Sequence, residues 1–122
     1  MRAISRWAVS SATALVLAVT SFATMAADEI SWDALLNKIQ AAKTAGDHEE
    51  IAAIYDKLAA SDEASAEMHR RTASIYRVTD PSGRTYGQMA VHCKSLADRY
   101  AHAAKEHSDL AELHRKAAAE SR

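Results

Sequence analysis

Alanine recurs every seven residues along two stretches of this chain, at Ala52, Ala59, Ala66 and Ala73 and again at Ala97, Ala104, Ala111 and Ala118. A seven-residue period belongs to a helix packed along its length against another helix. Small residues on that line let two helix axes approach toward the short end of the usual ~8–10 Å spacing. Only 3 Gly and 1 Pro punctuate the 122 residues, so the helices are long. The chain is therefore expected to be all-α and dominated by a helical hairpin.

Two further rows run beside the alanines. One is Ile51, Leu58, Ser65 and Thr72, continued on the second stretch as Leu96, Ala103, Leu110 and Ala117. The other is polar: His48, Tyr55, Asp62, His69 and Tyr76, then Cys93, Tyr100, His107 and His114. At 100° per residue the polar row falls at the centre of the small and apolar face. A shift of 45 residues also lays Ile51–Ala73 over Leu96–Ala118, bringing Tyr55 onto Tyr100 and Glu67-Met68-His69-Arg70 onto Glu112-Leu113-His114-Arg115. The two stretches read as diverged copies of one unit, and an antiparallel pair of copies has a pseudo-two-fold axis.

Three helices are expected, over about 31–45, 47–78 and 85–120. Ser31 caps the first and Gly46 ends it; Asp47 and Glu50 make an acidic capping box for the second; Thr85 and Gln88 make one for the third. The turn is Thr79-Asp80-Pro81-Ser82-Gly83-Arg84. Folding the chain about Pro81 pairs His48 with His114, Tyr55 with His107, Asp62 with Tyr100 and His69 with Cys93. Tyr55, Asp62, Tyr100 and His107 then form a structural seam of buried hydrogen bonds that fixes register.

Residues 1–26 read as a cleavable signal peptide, with Arg2 and Arg6 before an apolar run from Ala12 to Val19 and small residues around Thr24, Ala26 and Ala27. The run is too short and too diluted by Ser and Thr for a membrane span. Cleavage after Ala26 leaves one domain, 27–122, with 13 basic and 16 acidic side chains and all six His. The expected location is periplasmic or secreted, with no membrane span once the signal is removed. So small and alanine-rich a domain sits near the margin of independent stability and gains from a second copy or a ligand.

An unpaired thiol in an exported protein is buried, joined to another chain, or ligated. Met89, His92 and Cys93 lie within one turn, and the proposed register brings His69 to them. Thioether, thiolate and imidazole together suit copper(I), and thiolate with imidazole suits zinc. His48 and His114 offer a second, pseudo-symmetric site. Asp98, His102 and Glu106 share a face that reads as an exposed, salt-bridged surface.

The near-neutral balance, 15 Lys and Arg against 16 Asp and Glu, argues against nucleic acid as a partner. No glycine-rich phosphate loop, nucleophile elbow, zinc-protease motif or haem-attachment motif occurs, and no spacing supports a catalytic constellation, so the chain reads as a non-enzyme. The stretch His92-Cys93-Lys94-Ser95-Leu96, with Tyr100, Ala103-Ala104-Lys105-Glu106, Leu110-Ala111 and His114, resembles small exported bacterial helical-hairpin proteins of uncharacterised function. The resemblance covers about residues 51–118 and implies an envelope setting and a helical fold, with no activity attached. Two functional expectations stand together. One is an exported helical protein of the bacterial envelope that acts by self-association, as a homodimer, or by binding an unidentified envelope protein, through the leftover apolar faces at Trp32, Leu35, Ile54, Ile75 and Val91. The other is a periplasmic copper- or zinc-binding protein with an inter-helical His, Cys and Met site.

Overall fold

The computed structural model describes residues 30–122. The expected signal peptide and its cleavage point lie outside them. The described residues form three helices and no strand: α1 (Trp32–Ala41), α2 (Ala45–Thr79) and α3 (Gly87–Glu120). The two long helices pack against each other along their length, and α1 packs on α2.

Each helix end has a local cause, and several differ from the expected ones. Ser31 caps α1 by accepting a hydrogen bond from the Ala34 amide at 3.3 Å. α1 stops at Ala41 rather than near 45 because Ala42 turns extended on the approach to the next cap. That cap is Thr44, whose side-chain oxygen accepts from the Asp47 amide while the Asp47 carboxylate accepts from the Thr44 and Lys43 amides. Asp47 is thus the third residue of α2 rather than its cap, and Gly46 lies inside the first turn instead of ending α1. α2 runs unbroken through Ser61 and Asp62 to Thr79.

The reversal is organised by one carboxylate. Asp80 accepts from the Ser82 hydroxyl at 2.6 Å and from the Thr85 and Tyr86 amides at 2.7 and 2.8 Å. Because it already holds the Thr85 amide, the expected Thr85 and Gln88 box does not form, and α3 begins at Gly87 with no side-chain cap. Gly83 sits at φ 68°, a left-handed conformation that favours glycine. These bonds hold the Asp80 carboxyl down to about 2, the Ser82 hydroxyl contributing most and the two amides next.

The core is mainly alanine. Ala52, Ala66, Ala73, Ala90, Ala97, Ala104, Ala111 and Ala118 are buried, and Leu35 and Ile51 are the largest fully buried side chains. The deepest line of the interface is therefore the alanine row, not the polar row. An alanine ends at Cβ, so the facing helix closes directly over it. The longer polar side chains next to it reach out between the helices and stay half-buried.

The flanks of the hairpin differ in character. The position after most polar-row residues carries charge, Ala101 and Ser108 being the exceptions, and two ion pairs cross the helices there, Asp56 with Arg115 and Glu49 with Arg122. On the opposite flank lie Met68, Ile75, Met89, Leu96, Leu110 and Leu113, all exposed. Exposed ion pairs of this kind contribute little, about 0–1 kcal/mol each.

Candidate functional site

The polar row forms a ladder in which side chains of α2 and α3 alternate. At the open end His48 and His114 meet Nδ1 to Nδ1 at 3.1 Å, with ring centroids 5.3 Å apart. His114 also stacks on Tyr55 at 5.7 Å, and Tyr55 stacks on His107 at 6.0 Å. His107 donates from Nδ1 to the Asp62 carboxylate at 2.7 Å. Nearer the turn His69 and Tyr100 stack at 5.5 Å, within 10° of parallel. Tyr76 and Tyr86 close the series at 5.6 Å.

This geometry gives the internal repeat a physical meaning. The 45-residue shift carries Asp62 onto His107, and those two residues bond to each other, so the pseudo-two-fold axis passes through their hydrogen bond. The same shift carries Tyr55 onto Tyr100 and His69 onto His114. Correspondingly, the His114–Tyr55 stack at 5.7 Å is matched by the His69–Tyr100 stack at 5.5 Å.

Two of the four expected layers, His48 with His114 and Tyr55 with His107, are present as contacts. The Asp62 carboxylate instead takes its hydrogen bond from His107, and Tyr100 stacks on His69. The side chains also interdigitate, so the His114–Tyr55, His107–Asp62 and His69–Tyr100 contacts each bridge two expected layers. Offset stacking of large rings favours this arrangement.

His69, Met89, His92 and Cys93 do not share one environment. His92 and Met89 are exposed, whereas His69 and Cys93 are half-buried and Cys93 is a free thiol. His69 Nδ1 is buried and has no hydrogen-bond partner. Among the described residues no three or more His, Cys, Asp or Glu side chains gather into a set that would hold a metal ion. His102 faces Glu106 at 3.8 Å, and Lys94 holds Asp98 at 2.7 Å, both on an exposed surface as expected.

Burial, with the neighbouring His48 ring adding to it, pushes the His114 imidazole below its ordinary value. Across the axis the repeat sets Cys93 and His69 in the places of His48 and His114, so the two ends of the ladder differ in donor chemistry.

Of the apolar residues expected to be left over for association, Leu35 is buried, and sequence reasoning did not join Ile54 and Ile75 to Met68, Met89, Leu96, Leu110 and Leu113 as one continuous flank. Its signal was the row one residue before the polar row, Ile54, Met68 and Ile75, which faces Leu113 and the Met89, Leu96 and Leu110 row of α3. α1 covers only one end of this flank. Ile51 is 0% exposed, while its repeat counterpart Leu96 is 38% exposed. The contrast between two otherwise equivalent positions marks where the covering helix ends.

Set against known protein families, curated proteins and solved structures, the chain matches none.

Proposed function

We propose that this protein is an exported, non-enzymatic helical protein that works by self-association, two copies packing their open apolar flanks together. The observation that carries this reading is the half-covered flank, where Ile51 is sealed and its counterpart Leu96 lies open. Met68, Ile75, Met89, Leu96, Leu110 and Leu113 together leave roughly 550 Å² of mostly apolar surface, at the upper end of the ~300–600 Å² of a monomer's largest patch, which is often functional. A standard interface covers about 800 Å² per partner, which this patch and its rim approach.

A second copy is the occupant that the chain itself argues for. The open half of the flank is related by the pseudo-two-fold axis to the half that already accepts an apolar helix. The chain also carries further uncovered apolar helix surface, at Trp32, Leu36 and Ile39 of α1. Two copies can therefore cover each other with one repeated contact, which closes as a symmetric dimer. The charged flank, whose ion pairs are satisfied within the hairpin, remains in water.

Placing a charge on each flank tests the assignment. By light scattering after size exclusion, Ile75→Glu and Leu113→Glu should shift the protein from dimer to monomer with unchanged helix content. Ala101→Glu, next to the polar row on the charged side, should leave the dimer intact. A monomeric parent protein, or equal effects from both flanks, would reject the reading; binding to lipid vesicles by a monomer would assign the flank to a membrane surface instead.

A further inference from the structure

We propose that His48 and His114 form a metal clamp that takes one borderline divalent ion, of the zinc, nickel or copper(II) class, between α2 and α3. The two Nδ1 atoms are 3.1 Å apart and part-buried. Two imidazole nitrogens bound to one ion at the ~2.0–2.1 Å Zn–N distance lie about 2.9 Å apart at a right angle and about 3.3 Å apart at the tetrahedral angle. The observed separation falls between those values, so the helices already hold the two donors at the bite of a chelate.

The chemistry of exchange is simple. As a neutral pair, one ring donates its Nδ1 proton to the other. With both protons on Nε2 instead, both Nδ1 lone pairs are free to converge on an ion set to one side of the line joining the two nitrogens. Each ring then turns slightly about its Cβ–Cγ bond to aim at the ion. Imidazole suits zinc, nickel and copper(II), and copper(II) heads the affinity order.

The rest of the site is solvent-supplied. The Asp47 carboxylate is engaged with the Lys43 and Thr44 amides, and Glu49 with Arg122. No third His, Cys, Asp or Glu joins the pair among the described residues. Water completes the coordination, so binding is micromolar rather than nanomolar, and the ion exchanges readily. Its effect is to staple the start of α2 to the end of α3, the open end of the hairpin farthest from the turn. The site lies in the seam, off the apolar flank, and is independent of dimer formation.

The test uses the purified protein stripped with a chelator and titrated with zinc chloride and nickel chloride by calorimetry. Binding at one ion per chain is expected, with the zinc titration moving the Nδ1 resonances of two histidines together in long-range nitrogen–proton spectra. His48→Ala and His114→Ala should each weaken binding at least about tenfold, the loss that even an outer-shell change causes. His92→Ala and His102→Ala should bind as the parent does. If a seam variant loses helix content, the spectra of the parent protein decide alone. Resonances that do not move as a pair, binding that survives both seam substitutions, or binding that depends on His92 or His102 would overturn the proposal.

Discussion

Enlarging one seam alanine is the sharpest test of how the hairpin is held. Ala111 is 0% exposed on α3, and Ala66 is 0% exposed on α2. Position 111 lies one turn from both His107 and His114, the residues that bond Asp62 and stack on Tyr55. Ala111→Leu adds three carbons where the facing helix already closes, so the helices must part. Overpacking of this kind costs about 1–3 kcal/mol. Parting the helices also strains the Asp62–His107 hydrogen bond, worth about 1 kcal/mol more if it breaks. A loss of about 2–4 kcal/mol is a large fraction of the stability of a domain this small, which rarely exceeds about 3–5 kcal/mol from one core. At about 4–8 °C per kcal/mol, Tm should fall by more than about 8 °C. The assay is a far-ultraviolet circular dichroism melt at fixed protein concentration, beside Ala64→Leu, which adds the same three carbons at an exposed position of α2. That control should stay within about 0.5 kcal/mol of the parent. An Ala111→Leu melt that matches the control, or rises, would refute the idea that alanine sets the helix spacing.

Two pH-dependent effects follow from the titratable groups. In chelator-containing buffer, His114 binds its proton more weakly folded than unfolded, because its folded value lies below the ordinary 6.5. Its contribution is therefore complete above the unfolded value and is lost as pH falls through 6.5 toward the lower folded value; His114→Gln should flatten that part of a Tm-against-pH curve. At the turn, the Asp80 carboxyl is held at about 2 against an ordinary 3.8, so its contribution is present above 3.8 and disappears as pH falls from there through about 2. Asp80→Ala should lower Tm at neutral pH and remove that acid slope, and an unchanged acid limb would contradict the role given to its three hydrogen bonds. Gly83→Ala places a Cβ at φ 68° and should cost about 1–2 kcal/mol in urea unfolding.

The seven-residue alanine rows, the turn and the polar row were all legible in the sequence, because a helix fixes the angular position of every side chain. Stagger along the axis is a different quantity. Facing helices can slip by half a layer without changing any residue's face, and ring stacking rather than periodicity decided it. Hence His48 met His114 as expected, whereas Asp62 bonds His107 and not Tyr100. Helix ends were misplaced for a related reason. Thr44 and Asp47 compete with Gly46 as punctuation, and Asp80 captures the Thr85 amide from five residues away in the turn, which spacing rules for a cap do not anticipate. The apolar flank was hidden because its members come from different rows on two helices, and only the hairpin sets them side by side.

The account rests most heavily on the identity of what covers that flank. The most direct measurement is an isotope-filtered NMR experiment on an equal mixture of methyl-labelled and unlabelled protein, which detects only contacts between different copies. The predicted result is intermolecular contacts to the methyl groups of Met68, Met89, Ile75 and Leu113, with none to Ala101 on the charged flank. Intermolecular contacts confined to the charged flank, or none at concentrations where the protein is fully folded, would contradict it.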